Sequence, residues 1–208
     1  MPKGLFIVLE GPDRSGKSTQ AALLKEWLKK TGRDVLLTRE PGGTAVSEKV
    51  REILLDPAGN VAPMTELFLF ETARMQHTLE IIKPALAAGK AVISDRFTMS
   101  TSAYQGYGRG LPLDKVETLN YIATEGLTPD VTFVFDLPEQ EFAGRARETE
   151  LSEGPDRIER ESADFRKKVA EAYRELSRGQ GIIKINAAGT VEEIQLAIRK
   201  ELKRVLVK

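Results

Sequence analysis

The segment at residues 11–19 reads GPDRSGKST and has the spacing G-x-x-x-x-G-K-[ST]. Glycines in such a segment let successive backbone N–H groups face a polyphosphate, and the start of the following helix adds positive charge there. Lys17 would then reach the β and γ phosphates, and the hydroxyl of Ser18 would be a ligand for magnesium. An ordinary glycine-rich turn is the alternative, but chance gives the four fixed positions in only about 1 in 100 chains of this length. The predicted triphosphate-binding residues are Gly11, Pro12, Asp13, Arg14, Ser15, Gly16, Lys17, Ser18 and Thr19.

A second pair of residues that could bind a ligand or take part in catalysis, Asp95 and Arg96, follows another apolar run. An acid at the end of a central strand, beside a phosphate loop, can hold magnesium through water. The arginine that follows it can donate two hydrogen bonds to the phosphate of an acceptor. A structural ion pair at the strand end is the other interpretation. We therefore expect a metal site at Ser18 and Asp95 and a second phosphate site at Arg96.

The chain lacks the motifs of two other classes of nucleotide-binding protein. It contains no NKxD motif, which reads guanine, and no aspartate-rich run ending in DE after a later strand. A phosphate loop alone does not separate GTPases, remodelling ATPases and small-molecule kinases, so these two absences matter. They favour a kinase that acts on a small phosphorylated acceptor.

The composition excludes several other functions. The 208 residues include 31 basic and 31 acidic side chains, no cysteine and one histidine, His77. A net charge of zero argues against a broad nucleic-acid surface and against a polybasic membrane patch. The apolar runs are far shorter than the roughly 20 residues that cross a bilayer, and the N-terminus does not resemble a signal peptide. We expect a soluble, cytoplasmic protein that binds neither nucleic acid nor membrane. We also expect that it has neither a thiolate metal site nor a histidine triad.

Five short apolar runs, rich in β-branched and aromatic residues, predict buried strands. They are Leu5–Glu10, Val35–Arg39, Ala91–Asp95, Val131–Asp136 and Ile182–Asn186, and three of them end in an acid. Helical patterns lie between them, which predicts an α/β fold with a five-stranded parallel sheet and helices on both faces. Ligands of such sheets bind at the carboxyl ends of the strands. We expect residues 1–208 to form a single domain.

Two sequence features indicate where helices begin or bend. Thr190 and Glu193 have the spacing of a capping box at the start of the last helix. Residues 63–88 have helical character, and Pro84 is expected to kink or end that helix.

The order of five motifs resembles the thymidylate kinase family over nearly the whole chain. The motifs are LEGPDRSGKSTQ at residues 9–20, TREPGGT at 38–44, LFLFETARMQH at 67–77, DRF with SAYQGYGRGL at 95–111, and PDRIERES at 155–162. The first is shared by many nucleotide-binding families, whereas TREPGG and AYQGYGRG are specific to this one. The resemblance implies a nucleoside monophosphate kinase fold of the P-loop NTPase type. It also implies phosphorylation of dTMP to dTDP by ATP and magnesium, a step of dTTP biosynthesis, in a homodimer.

The resemblance also implies a dTMP site. Phe70 matches the phenylalanine that stacks on thymine, and Arg74 matches the arginine that donates to thymine O4; without the resemblance they would be interpreted as a core and a surface residue. Tyr104 matches the tyrosine that crowds the ribose 2′ position, and Arg96 matches the arginine that holds the acceptor phosphate. The implied dTMP-binding residues are Asp13, Pro41, Phe70, Arg74, Arg96, Thr101, Tyr104 and Gln105, with Glu40 shaping the pocket and Arg51 bordering it.

The arginines near the donor depart from the family pattern. In the family, a catalytic arginine lies either in the phosphate loop or in a lid over ATP, and this chain has Arg14 in the loop and Arg145 and Arg147 in the segment at about 145–160. That segment is charge-dense and contains Gly154 and Pro155, so it is expected to be a mobile lid. Arg157 belongs to the same segment. We expect Arg14 to carry most of the transition-state charge, with the lid arginines sharing it. The expected catalytic residues are Lys17, Arg14, Arg96, Arg145 and Arg147, and the turn at 185–190 is expected beside adenine.

Two alternatives stay open at this point. One is a kinase for another nucleoside monophosphate, such as dUMP or dCMP. The other is a nucleotide-binding module without catalysis, which the presence of both a donor motif and an acceptor motif disfavours.

Overall fold

The computed structural model describes residues 4–137 and 154–206. The strands are β1 (Leu5–Glu10), β2 (Val35–Arg39), β3 (Ala91–Asp95), β4 (Val131–Asp136) and β5 (Ile182–Asn186). The helices are α1 (Lys17–Lys30), α2 (Ala45–Leu55), α3 (Pro63–His77), α4 (Lys83–Ala87), α5 (Thr98–Thr101), α6 (Leu113–Thr124), α7 (Ala163–Leu176) and α8 (Val191–Leu206).

The five strands form one parallel sheet in the order β2-β3-β1-β4-β5. β1 lies in the centre, with Leu5 beside Ala91 on β3 and Ile7 beside Val131 on β4. All six residues of β1 are buried, as expected for a strand covered on both faces. The predicted α/β class and all five strand bounds are confirmed.

Apolar layers cover both faces of the sheet. On one face Leu5, Ile7 and Leu9 pack with α1 and α8, including Leu24 and Ile198. On the other face the alternate residues Phe6 and Val8 pack with Ile82, Val92 and Phe97. Because successive side chains of a strand point to opposite faces, one short strand supports both layers. This fixes the carboxyl end of β1, from which the phosphate loop leaves.

The capping box at the start of α8 is present. The Thr190 backbone N–H donates to Glu193 Oε2 over 2.9 Å, and the Glu193 N–H donates to Thr190 Oγ1 over 3.2 Å. Pro84 does not end its helix, which continues to Ala87. Instead a π-helical segment, Thr78–Ile82, lies directly before it. A π turn widens the helix where the proline ring would meet the carbonyl four residues earlier and where the proline donates no N–H.

Within residues 4–137 and 154–206, no helix is both long enough and apolar enough to cross a membrane.

Candidate active site

The phosphate loop joins the end of β1 to the start of α1. Its backbone turns at Gly11, Arg14 and Gly16, all of which have positive φ. Gly16 stands at the N-cap of α1 and has no side chain to cap it, and the first turn of this helix contains no acidic residue. The first N–H groups of a helix have no partner within the helix. The start of α1 therefore offers N–H donors and a positive dipole end to an anion.

Lys17 is held inside this loop. Its ammonium donates to the Pro12 carbonyl over 2.7 Å and lies 3.4 Å from Ser15 Oγ, with 6% of the residue exposed. Burial, together with the charge of Arg96, lowers the pKa of Lys17 to about 8, although nearby carboxylates oppose the shift. A bound polyphosphate would supply the negative charge that this buried cation lacks.

Ser18 and Asp95 meet at the mouth of the loop. The Ser18 hydroxyl donates to Asp95 Oδ2 over 2.5 Å, so the start of α1 contacts the end of β3. A hydroxyl and a carboxylate are oxygen ligands, which magnesium prefers, and magnesium usually takes only one or two ligands from the protein. In the described part of the chain no three His, Cys, Asp or Glu residues cluster into a metal site. The donor set therefore fits magnesium that is shared with substrate phosphates.

A cavity opens beside the phosphate loop. Its volume is about 590 Å³, including the space at its mouth. All eight residues that the resemblance implied for dTMP line this one cavity, as do Glu40 and Arg51. The sequence had not singled out four further lining residues, which are Leu55, Ser100, Asp156 and Ile158.

Arg96 lies between the two sites and has a left-handed backbone conformation, with φ +75°. Its Nη1 donates to the Gly11 carbonyl over 2.9 Å, to Ser100 Oγ over 3.0 Å and to Tyr173 Oη over 3.1 Å. Its Nη2 forms an ion pair with Asp13. These contacts hold a forked cation at the wall of the cavity that faces the phosphate loop.

Asp13 is the residue that the loop and the cavity share. It accepts a hydrogen bond of 2.8 Å from Tyr104 Oη as well as the ion pair from Arg96. Burial alone would raise the pKa of Asp13, but the charges of Arg96 and Lys17 outweigh it and lower that pKa. Asp13 therefore stays a carboxylate at the junction between the phosphate loop and the cavity.

Glu10 was not among the site residues predicted from the sequence. It supports Arg96 indirectly, because Ser100 and Tyr173 each contact both Glu10 and Arg96. Glu10 is fully buried at the end of β1, and its Oε1 accepts from the backbone N–H groups of Phe97 and Ser100 over 2.8 and 3.1 Å. Its Oε2 accepts from Ser100 Oγ over 2.6 Å and from Tyr173 Oη over 3.0 Å. Burial raises the pKa of Glu10, and the charge of Arg96 opposes the shift. The acid at the strand end was visible in the sequence, but its partners were not.

Arg74 and Phe70 lie one turn apart on α3 and both line the cavity. Arg74 is only 2% exposed, and its Nε donates to Glu40 Oε2 over 2.8 Å. Its Nη1 meets oxygen atoms of Glu71, Thr101 and Asn120 at 2.7, 2.7 and 2.9 Å, and its Nη2 donates to the Phe97 carbonyl over 3.0 Å. Arg74 is therefore buried and held in one orientation, unlike a surface arginine.

Gln105 is held by Glu66, a carboxylate with no exposed surface. Gln105 Nε2 donates to Glu66 Oε1 over 2.8 Å, and Arg109 donates to both carboxylate oxygens over 3.0 and 2.9 Å. Arg157 Nη1 lies 2.6 Å from Glu66 Oε2, and Arg157 Nε donates to the Leu54 carbonyl over 2.8 Å. Arg157 thus supports the wall of this cavity through Glu66. Arg157 was expected in a lid over ATP, but the contacts described for its side chain are with Glu66 and Leu54.

Arg14 lies in the phosphate loop with φ +61°, and its Nη2 is 3.5 Å from Glu159 Oε2. Of the segment predicted as a lid, Arg145 and Arg147 lie outside the described residues. The described end of that segment includes Asp156 and Ile158, which line the cavity.

Comparisons with known proteins identify a family. A family model described as Thymidylate kinase matches residues 9–198. The chain is similar to a thymidylate kinase of Halothermothrix orenii, at 45% identity over 206 residues, which span 99% of this chain and 100% of that protein. It is similar to a thymidylate kinase of Chromobacterium violaceum at 46% identity over 207 residues, 98% of this chain and 96% of that one. A crystal structure of thymidylate kinase from Ehrlichia chaffeensis matches with a TM-score of 0.78 and 33% identity, covering 97% of this chain and 99% of that chain.

Proposed function

The chain belongs to the thymidylate kinase family, and from this premise we propose how its residues phosphorylate dTMP to dTDP. The phosphate loop binds ATP, and the cavity beside it binds dTMP. One observation carries the assignment: Asp13 belongs to the loop and also lines the cavity, where it forms an ion pair with Arg96. The two sites therefore share a wall, as direct transfer between two substrates requires.

The acceptor is held at both ends. Phe70 stacks on the thymine ring, and Arg74 donates to thymine O4 from its fixed position. Arg96 grips the phosphate of dTMP with its forked guanidinium. Thr101 and Gln105 contact the base, Tyr104 crowds the ribose 2′ position, and Pro41 completes the wall.

The transfer is an in-line displacement at the γ phosphorus of ATP, in which the bond from that phosphorus to the β–γ bridging oxygen breaks and ADP leaves. A phosphate oxygen of dTMP is already ionised and attacks without a general base, so positioning and charge stabilisation supply the acceleration. Lys17 donates to the β and γ phosphates. Arg14 carries most of the charge that develops on the transferred group, with Arg145 and Arg147 sharing it.

Ser18 and Asp95 would hold magnesium. When bound, the metal neutralises charge on the donor phosphates and orients them.

We also propose that the protein is a homodimer. α3 packs between α2 and α6. Seven of the ten large apolar side chains that are exposed in the described residues lie on these helices or on the π segment after α3; they are Val46, Ile53, Phe68, Met75, Leu79, Tyr121 and Ile122. A concentration of exposed apolar residues on neighbouring helices is typical of an interface.

An acceptor panel tests the function. ADP release is measured with ATP and magnesium while dTMP, dUMP and dCMP are supplied in turn. We expect the highest kcat/KM with dTMP; a preference for dUMP or dCMP would identify a different kinase, and ATP binding without dTMP-dependent ADP release would identify a binding module. Lys17→Ala should abolish turnover and leave the circular dichroism spectrum unchanged.

A further inference from the structure

His77 is the only histidine of the chain, and the transfer mechanism gives it no role. It lies at the end of α3 with no exposed surface. Its Nδ1 is 3.0 Å from Glu40 Oε1, and its Nε2 is 2.6 Å from Thr38 Oγ1. The ring is therefore hydrogen-bonded at both nitrogens, to two residues at and just beyond the end of β2.

The chemistry of the two partners indicates where the ring hydrogen lies. A carboxylate can only accept hydrogen bonds, so the contact with Glu40 requires a hydrogen on Nδ1. In a neutral ring Nε2 is then an acceptor, and the hydroxyl of Thr38 donates to it.

Glu40 links this histidine to Arg74. While Oε1 faces His77, Oε2 accepts from Arg74 Nε over 2.8 Å. His77 and Arg74 lie three residues apart on α3, and Glu40 bridges them from the neighbouring turn. A carboxylate fixed at one oxygen directs the other, so the bond to His77 sets the direction of the bond to Arg74.

The turn after β2 packs closely on the same ring. A Cβ atom added at Gly43 would lie 2.6 Å from His77 Cδ2 and 2.9 Å from Thr38 Oγ1. The imidazole is thus the surface on which the turn carrying Glu40 and Pro41 rests, and Pro41 lines the acceptor cavity.

Arg74 has a donor left for a ligand. The Phe97 carbonyl accepts one of the two hydrogens on Nη2, and in the described part of the chain Nη2 has no second acceptor among its hydrogen bonds. The remaining N–H suits a carbonyl oxygen on a base, but only while the guanidinium keeps its orientation.

We infer that His77 is a positioning residue for pyrimidine selectivity: its Nδ1–H fixes Glu40, and Glu40 orients Arg74 toward the base. The inference rests on the proposed function, because it assigns to Arg74 the contact with thymine O4. It predicts that His77 affects the choice of base and the affinity for dTMP, and has little effect on ATP.

Two amide replacements separate this role from simple packing. In His77→Asn the amide nitrogen can take the position of Nδ1 and donate to Glu40, whereas in His77→Gln the amide reaches only the position of Nε2 near Thr38. We expect His77→Asn to keep the dTMP KM within about threefold of the unaltered enzyme. His77→Gln should raise it about tenfold, equivalent to about 1.4 kcal/mol.

The preference for dTMP over dCMP is a measurement that a simple packing defect at His77 would leave unchanged. The 4-amino group of dCMP cannot accept from Arg74, so a fixed arginine rejects it. The ratio of kcat/KM for dTMP over dCMP should fall about tenfold in His77→Gln and hold in His77→Asn, with the ATP KM unchanged in both. Equal losses in both variants, or a loss shared by the ATP KM, would overturn the inference.

The tautomer can be measured without any substitution. Because the untagged chain has one histidine, a long-range ¹H–¹⁵N correlation spectrum contains the signals of one imidazole. We expect the hydrogen on Nδ1 at neutral pH; a hydrogen on Nε2 alone would refute the inference, even if His77→Gln did not fold.

Phe70→Leu separates failure of the positioning role of His77 from failure of the proposed function. This variant should raise the dTMP KM through lost stacking, whatever His77 does. If Phe70→Leu has that effect but the two His77 variants behave alike, only the positioning role fails. If dTMP is not the preferred acceptor and Phe70→Leu has no effect, the proposed function fails.

Discussion

The hydroxyl of Ser18 donates to the carboxylate of Asp95 over 2.5 Å, which joins the first turn of α1 to the end of β3. Ser18 ends the phosphate-binding segment in the first turn of α1, and Asp95 ends β3, which pairs with the central strand β1. The two oxygen atoms thus already lie side by side, which would reduce the entropy lost if magnesium and ATP bind there as proposed.

Asp95→Asn should weaken the binding of magnesium. The amide keeps the shape of the side chain but loses the negative charge, so the magnesium concentration for half-maximal activity should rise about 10- to 100-fold. Asp136→Asn is the matched control, because Asp136 also ends a strand but pairs with Lys184 over 2.9 Å. Magnesium titrations of both variants at saturating dTMP check this prediction. Equal effects of the two substitutions would show that Asp95 does not hold the metal.

Binding of ATP should take up protons near pH 8. Burial lowers the pKa of Lys17 to about 8, so about half of the unliganded lysines are uncharged at that pH, and the phosphates of ATP restore the proton. Calorimetry in buffers of different ionisation enthalpy should give an uptake of about half a proton at pH 8 and almost none at pH 6.5. Lys17→Arg should show no uptake, because arginine stays protonated.

The same shift affects stability. Because the pKa of Lys17 is lower in the folded chain than its usual 10.5, the folded state binds fewer protons between about pH 8 and 10.5. The contribution of Lys17 to the free energy of unfolding therefore rises with pH across that window.

Arg14→Ala should lower kcat by about 100-fold or more, with both KM values within about threefold. The loss is confined to kcat because the charge that Arg14 neutralises develops in the transition state. Steady-state kinetics of Arg145→Ala and Arg147→Ala, measured alongside, should show smaller losses. If either lid variant loses more than Arg14→Ala, the main charge lies on the lid.

Gly43→Ala should cost more stability than Gly32→Ala. The two glycines have similar φ values, +89° and +84°, so both substitutions carry the left-handed penalty of about 1–2 kcal/mol. An added Cβ meets nothing within 4 Å at Gly32 but lies 2.6 Å from the His77 ring at Gly43. We expect a further loss of about 1–3 kcal/mol at Gly43, measured by urea unfolding.

Phe68→Glu should dissociate the proposed dimer. Phe68 is 53% exposed on α3, inside the apolar group on α2, α3 and α6, and Leu196 is 63% exposed on α8, outside it. Sedimentation velocity should show half the mass for Phe68→Glu and no change for Leu196→Glu. A monomer in the unaltered protein, or a dimer that Phe68→Glu leaves intact, would contradict the assigned face.

The sheet could be predicted from the sequence, because a parallel strand buried on both faces is a continuous apolar run. β1 and β4 are such runs, and their observed bounds match the predicted ones. The phosphate loop was equally clear, since its spacing reflects the contacts of backbone N–H groups with phosphates.

Buried polar networks could not be predicted in the same way. Glu10 and Glu66 are fully buried, although glutamates are usually exposed, and His77 is fully buried as well. Their partners lie far away in the sequence, such as Tyr173 for Glu10 and Arg157 for Glu66, so no local spacing identifies them. The π segment Ser102–Gly108, which carries Tyr104 and Gln105, likewise has no periodic pattern of its own.

The central place of β1 in the sheet also matters while the protein is being made. Leu5 pairs with Ala91, and Ile7 pairs with Val131, so this strand, which is apolar from Leu5 to Leu9, leaves the ribosome long before either neighbouring strand exists. At roughly 5–20 residues per second, the nascent chain exposes an unpaired hydrophobic segment for several seconds. Helices in the first part of the chain can form in that interval, but the sheet can form around β1 only after β3 and β4 have been synthesised.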